Sequence, residues 1–396
     1  RRPFAVASAA TLLMLQLLFL GLMSYIYGSL FQQSSRVHNF KVLMVDFDGG
    51  VIGEALSGAY QQLQAPSFPT IVHHSTTQYS TPADVRDAVC RGHYWGGIYT
   101  HPGASNRLSA ALEGGQAAAS YNAQDTMTYI YNAARYPAFA SGLIQSNLVQ
   151  LTSVSRIVYN HLNGTQALQS VNNTNVPAIQ ALLNPIQALA SPIQPTTHGA
   201  RVLYNTLSMV IPIIMQFFFI MALNTISATF QTHSHLPRLD NYLLRLLLSL
   251  LYTLVGSLSM AGYIWAFRED WAVTGRDFAL TWLTLWLYMH VNMFVFDVAT
   301  AYIPLKFTTF FVLTWVILNV TSTIAPFEIS PGFYRWAYAL PANEVYTLLV
   351  QIWSHGCAVR DYRALPVLFA WWLVGNVASV FAVRFRCGEA AAAEEA

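Results

Sequence analysis

The chain reads as a mostly helical protein, a six-helix polytopic membrane domain carrying a small α/β domain between its first and second helices. Three observations point there. Six stretches contain no Asp, Glu, Lys or Arg: between Arg2 and Arg36, Arg201 and Arg238, Arg245 and Arg268, Asp277 and Asp297, Lys306 and Glu328, and Arg363 and Arg384. A hydrocarbon core about 30 Å thick takes ~20 apolar residues, and one charge at its centre costs ~2.5–3.5 kcal/mol on insertion. Composition agrees, with 54% of the 396 residues hydrophobic and 10% charged. The third observation is the change of texture over residues 31–200, where polar residues, turn signals and short apolar runs replace the long apolar stretches.

Each element follows in order. The first helix is expected within residues 1–30. Its apolar stretch, Phe4 to Tyr27, exceeds the roughly 7–15 residues of a signal-peptide core and should remain as an uncleaved anchor. In the insert, Val42 to Val45 reads as a strand, Asp46-Phe47-Asp48-Gly49-Gly50 as a tight turn, and Ala55, Leu56, Tyr60 and Leu63 as one face of a helix. Thr81-Pro82-Ala83-Asp84 predicts a helix start, with Thr81 as N-cap and Pro82 in the first turn. Trp95 to Tyr99 predicts a second strand, Ser105 to His161 helix, and Asn163 to Thr197, with four prolines, an extended connector. The later spans are expected near 202–226, 242–267, 277–299, 305–325 and 364–383. They form a five-helix block over 201–386, followed by a cytosolic tail at 387–396.

Topology follows from what borders the spans. With a cytosolic N-terminus, that face carries Arg1, Arg2, Arg238, Arg245, Lys306, Arg384 and Arg386. The opposite short loops carry Arg268, Arg276, Arg335, Arg360 and Arg363, seven basic residues against five. Asn163-Gly164-Thr165 and Asn172-Asn173-Thr174 are glycosylation acceptors, and both place the insert in a lumen or outside the cell. Trp265, Trp271, Trp282, Trp353, Trp371 and Trp372 cluster near span ends on that side, as interfacial anchors do. Cys90 and Cys357 fall there too, in an oxidising setting where they are able to pair; Cys387 follows the last span.

Candidate sites are weighed against simpler roles. Asp46-x-Asp48 after a strand invites a haloacid-dehalogenase-type phosphatase. That chemistry needs Thr or Val where Gly50 stands and a distal acidic pair that the insert lacks, so a turn is the better reading. His73, His74, His93 and His101 have no metal-ligand spacing, and no GxxxxGK[ST] nucleotide loop occurs. Neither catalysis nor a cofactor or metal is expected. The net charge of +2 argues against nucleic acid. Polar residues inside spans carry more weight, because lipid penalises them. His290, Asn292 and Asp297 lie in the fourth span, Gln216 and Asn224 in the second, Asn319 in the fifth and Asn376 in the sixth. At about 100° per residue, His290 and Asp297 fall within ~20° of each other. Such residues either brace helices or line a substrate path, and His290, nearest mid-span, is the strongest path candidate.

Between the last two spans, residues 326–355 are too apolar for a loop and too broken by proline to span. Ser330, Pro331, Trp336, Tyr338, Pro341 and Tyr346 resemble the re-entrant hairpin before the last helix in membrane domains of type-2 ABC exporters. The plan of one span, a large external insert and five further spans resembles a branch of that superfamily. Val45-Asp46-x-Asp48-Gly49 and Arg91-Gly92-x-Tyr94-Trp95-Gly96-Gly97-Ile98 resemble its insert motifs, and the chain is similar to the fungal nitrosoguanidine-resistance membrane proteins. The resemblance implies a dimeric permease-like fold, at the plasma membrane or another secretory-pathway membrane, tied to resistance against toxic compounds. It implies membrane lipids and amphipathic small molecules as partners, with a separate ATPase subunit wherever ATP drives the cycle. The alternative is a non-transporting scaffold whose external domain binds partners or lipids.

Overall fold

The computed structural model describes residues 2–395, which divide into two compact units, Arg1–Phe31 with Thr197–Ala396, and Gln32–Thr196. The chain opens with helix α1 (Arg2–Ser29). It exposes Phe4, Val6, Leu12, Leu13, Leu17 and Leu20, a surface that lipid, not water, would cover.

The insert is built on a five-stranded sheet of β1 (Lys41–Asp46), β2 (Thr70–His74), β3 (Gly96–Thr100), β4 (Met127–Tyr131) and β5 (Ala188–Ala190), in the order β2-β1-β3-β4-β5. Strand β1 pairs in parallel with both β2 and β3, with Val42 beside Ile71 and Gly96. Strand β4 runs antiparallel to β3 and parallel to β5. Parallel neighbours require crossovers, and helices supply them, with α2 (Val51–Leu63) leading to β2 and α3 (Pro82–Cys90) to β3, whereas α4 (Ala104–Glu113) and α5 (Gly115–Ala119) join the antiparallel β3 and β4. After β4 come α6 (Pro137–Phe139), a π-helical stretch over Ala140–Gln145, α7 (Ser146–Ser170) and α8 (Val176–Leu183). Strand β1 buries Val42, Leu43, Met44 and Val45 in succession, as a strand covered on both faces does.

Local signals explain the boundaries. Thr81 caps α3 through a reciprocal capping box, its hydroxyl accepting from the Asp84 amide at 3.2 Å while Asp84 accepts from the Thr81 amide at 2.8 Å. Gly49 turns the chain at φ 63°, where a side chain would be strained. Two expectations are corrected. The stretch from Ser105 to His161 is interrupted by β4, whose Thr128, Tyr129, Ile130 and Tyr131 favour a strand. The connector expected over Asn163 to Thr197 instead holds the end of α7, all of α8 and β5, because Asn175 caps α8 from its side chain and Pro177 fits its first turn.

The membrane-class unit continues with α9 (Leu207–Thr229), α10 (Thr232–His235), α11 (Arg238–Ala266), α12 (Gly275–Tyr302), α13 (Leu305–Ile324), α14 (Pro341–Trp353) and α15 (Asp361–Glu395). With α1, the five longest of these give six helices long and apolar enough to cross a membrane. Helix α12 is the hub, packing against α9, α11, α13, α14 and α15. Its start is fixed by Thr274 and Asp277 in a second capping box. Helix α15 runs well past the expected span end at residue 383, and residues 387–395 are helical.

The crowding at Gly53 is testable. A Cβ there would sit 2.0 Å from Asp46 Oδ2, whereas at Gly164, inside α7, the nearest foreign atom is 3.9 Å away. Gly53→Ala should therefore destabilise the insert, and Gly164→Ala should stabilise it by ~0.5–1 kcal/mol through helix propensity. Proteolysis of the full chain across a temperature series reads both shifts.

Candidate functional site

Helix α11 carries a polar residue at every fourth position: Asn241, Arg245, Ser249, Thr253 and Ser257, all buried. This spacing follows the i±4 ridge along which helices pack. At 1.5 Å per residue the stripe extends about 24 Å, most of a hydrocarbon core. Polar atoms held away from water are best satisfied within the protein, and α9, α10 and α12 supply most of the partners, while Ser257 donates to the Leu254 carbonyl of its own helix.

At the α10 end, three charged side chains meet. Arg245 Nη2 donates to Asp297 Oδ1 at 2.5 Å, and Arg386 Nη1 donates to the same oxygen at 3.0 Å. Ser379 Oγ donates to the other carboxylate oxygen at 2.5 Å. Arg245 also reaches Asn224 Oδ1 at 2.8 Å and Ser227 Oγ at 3.3 Å. Arg386 reaches the Asp297 carbonyl at 2.6 Å and Thr300 Oγ1 at 3.1 Å. Asn224 Nδ2 completes the ring by donating to Thr300 at 3.1 Å. Asp297, Arg245 and Arg386 are only 4%, 5% and 9% exposed, so this is a buried ion cluster joining α9, α11, α12 and α15.

One helical turn further along α11, Ser249 meets His290. Trp372 Nε1 donates to His290 Nδ1 at 3.0 Å, and His290 Nε2 lies 3.2 Å from Ser249 Oγ. An indole nitrogen only donates, so Nδ1 is the acceptor and Nε2 carries the proton. Ser249 sends its own hydroxyl hydrogen to the Leu246 carbonyl at 2.8 Å, which leaves its oxygen to accept from Nε2. A second ring proton has no acceptor in this arrangement, so the geometry holds His290 as a neutral brace. Trp286 Nε1 continues the ladder to Thr253 Oγ1 at 3.1 Å, and Tyr242 Oη donates to Asn376 Oδ1 at 3.0 Å.

The expected path residues therefore separate. Asn224, His290, Asp297 and Asn376 gather on the α11 stripe. Asn292 and Asn319 face elsewhere: Trp315 Nε1 donates to Asn292 Oδ1 at 2.8 Å, and Asn319 Oδ1 accepts from the Ala342 amide at 3.2 Å, which brace α12, α13 and α14. Gln216 is fully buried in α9, its Nε2 donating to the Pro212 carbonyl at 3.3 Å. In the proline-broken segment, Ser330 and Pro331 lead into a 3-10 helix over Gly332–Ala339, and Pro341 opens α14. At 13 residues, α14 is too short to span. Tyr346 is buried within it, whereas Trp336 and Tyr338 are partly exposed, Tyr338 lying under Arg363 at 4.3 Å. The fully buried Glu344 pairs with Arg363 at 3.1 Å.

In the insert, the crevice at the carboxyl ends of β1 and β3 is filled by the protein's own acids. Asp46 Oδ1 accepts from the Asp48 and Gly49 amides at 3.0 and 3.1 Å and from Thr100 Oγ1 at 2.5 Å. Asp48 accepts from the Ser105 amide at 2.9 Å and from its hydroxyl. Open α/β sheets bind ligands at such a place, where the strand order reverses. Here the two carboxylates tie the β1–α2 turn to the β3–α4 turn. His74 bonds Gln78 and Tyr94, and His101 bonds Thr128. Among the described residues, no three His, Cys, Asp or Glu side chains converge as metal ligands.

Sequence reasoning missed Arg245, Arg386 and the α11 hydroxyls. The arginines read as charges at the cytosolic face, but α11 begins seven residues before Arg245 and α15 continues past Arg386, which draws both inside. The available signal was the fourfold spacing from Asn241 to Ser257. Losing the central acid should be costly. Asp297→Asn leaves two buried guanidiniums without their counter-charge and is expected to lower stability by ~3–5 kcal/mol, whereas Ser249→Ala should cost ~0.5–1.5 kcal/mol. Thermal unfolding of purified full-length protein in an uncharged detergent measures the difference.

No solved structure is significantly similar to this chain. A family model described as a protein of unknown function (DUF3533) matches residues 11–377, from within α1 through the whole insert and the bundle to about the middle of α15. The chain belongs to the DUF3533 family.

Proposed function

We propose that this is a permease-like membrane protein that moves, or helps to move, amphipathic compounds or lipids, with an outcome of resistance to toxic compounds. The observation that carries this reading is the buried polar stripe of α11, about 24 Å long, whose Arg245, Ser249 and Thr253 meet polar side chains of α12. A scaffold has little need of so long a polar seam in a place where polar groups are expensive. The resemblance to type-2 ABC exporter membrane domains supports the reading through the six-span plan and the short helix α14 before the last span. Energy would come from a separate ATPase subunit, an ion gradient or the substrate's own gradient, and two copies would form the unit at the plasma membrane or another secretory-pathway membrane. Reconstituted protein should move labelled lipid or amphipathic drug across vesicles, with candidate ATPases added where needed. Ser249→Leu with Asn376→Leu should reduce flux at least fivefold while surface expression stays normal. Flux absent from the wild type under every condition would sink the proposal.

A second reading has an observation of its own. The insert exposes Val149, Ile157, Leu168 and Leu183 on α7 and α8, apolar surface that a partner or lipid could cover. A scaffold would lose resistance on disruption of that surface and keep it when the seam is altered.

We further infer that the insert is extracytosolic. With Arg245 and Arg386 buried, the charge comparison falls from seven against five to about five against five, so the glycan acceptors become decisive. Asn172 is exposed, and its Oδ1 accepts from the Thr174 amide at 3.1 Å and hydroxyl at 2.7 Å. Asn163 lies within α7, half-buried, its amide donating to Tyr159 Oη at 3.1 Å. A glycan is therefore expected at Asn172 and not at Asn163. Protein from a secretory-competent host should shift on endoglycosidase treatment, Asn172→Gln should remove the shift, and Asn163→Gln should leave it. An unshifted wild type would refute the orientation.

A further inference from the structure

The ion cluster holds a charge that nothing beside it cancels. Arg245 and Arg386 bring two positive charges to the single carboxylate of Asp297, and all three are buried. His233, bonded to Asn241 at 2.8 Å, adds no charge, because burial and the two arginines push its pKa down to about 4. The acids nearest in sequence, Asp240 and Glu389, are exposed. The carbonyl end of α12 supplies at most about half a negative charge. An unneutralised charge in a membrane interior costs several kcal/mol even after relaxation. A second observation points to the same place. Arg245 Nε is buried and has no acceptor among the described residues. Arg245 also lines, with Tyr242, Ser249, Asp297 and Ser379, a cavity of about 10 Å³, no larger than one water needs.

We propose that Arg245 and Arg386 form a site for one phosphate-bearing headgroup of an anionic amphiphile, which enters between α11 and α15 and neutralises the charge that Asp297 leaves over. The small cavity, lined by Arg245 and Asp297 but not by Arg386, marks the Arg245 side of that site. Exposed Arg238, Lys306 and Arg384 stand at the same end of the bundle and favour approach of an anion over a cation. The assignment names a substrate class for the permease reading and rests on it only for movement across the membrane; binding stands without it.

Purified full-length protein in an uncharged detergent provides the test, with thermal unfolding as the readout. The probes are decyl phosphate, decyltrimethylammonium, inorganic phosphate, phosphatidylglycerol and phosphatidylcholine. Decyl phosphate and phosphatidylglycerol should raise the unfolding temperature, and the cation and phosphatidylcholine should not. Arg386→Gln, which removes the surplus charge, should weaken the response to decyl phosphate at least tenfold in concentration. Arg386→Lys should keep most of it, Arg238→Gln all of it, and Asp297→Asn should shift it to lower concentration. Equal stabilisation by the cation, or an undiminished response in Arg386→Gln, would overturn the site. An equal response to inorganic phosphate would overturn the amphiphile assignment. Binding as described with no flux would leave this inference standing and sink the permease reading instead.

Discussion

One carboxylate organises the membrane-class unit. Asp297 accepts from Arg245 on α11 and from Arg386 and Ser379 on α15, and Arg245 carries the connection to Asn224 and Ser227 on α9. In water such pairs contribute little, because solvent competes for each charge. Away from water the balance changes. Each group is too costly to leave alone, so four helices are held at the spacing that lets them share one acid. A hydrophobic stripe could pack the same helices, but lipid tails are as apolar as leucine and give no preference for one register over another. The ion cluster, with the His290–Ser249–Trp372 bridge one turn away, fixes which residue faces which.

This arrangement also accounts for the partition of the polar residues around α12. Those on the α11 and α15 side form a continuous ladder from Tyr242 to Thr253. Those facing α13 and α14, Asn292 and Asn319, each serve a single neighbour: Asn292 takes the indole hydrogen of Trp315, and Asn319 accepts a backbone amide at the start of α14. The first set runs about 17 Å along α11, and the second holds the short helix in place. The two sets differ in reach and in charge, and the first leaves Arg245 Nε without an acceptor among the described residues.

The six long apolar helices were legible because a charge inside lipid is expensive enough to leave gaps in the sequence. The same logic misled at Arg245 and Arg386. A charge was taken to mark the end of a span, but one carboxylate at Asp297 makes two internal arginines tolerable, and no property of either arginine alone reveals this. The insert followed a similar pattern. Val42 to Val45 announced β1 and Thr81-Pro82 announced α3, since each carries its own local signal. Strand β4 was hidden behind Ala and Gln, which favour helix, and its place is decided by pairing with β3, a contact remote in sequence. Asp46 and Asp48 read as a turn; their further partners, Thr100 and Ser105, lie more than fifty residues away and so have no local signal.

The account stands on Asp297 being held by two guanidiniums inside the bilayer. A cryo-electron microscopy map of the full chain in lipid nanodiscs, at a resolution that resolves side chains, measures this directly. The account predicts both Arg245 and Arg386 within hydrogen-bonding distance of the Asp297 carboxylate, at a depth covered by the acyl-chain density. Asp297 facing bulk water, or either arginine turned away to the headgroups, would contradict it.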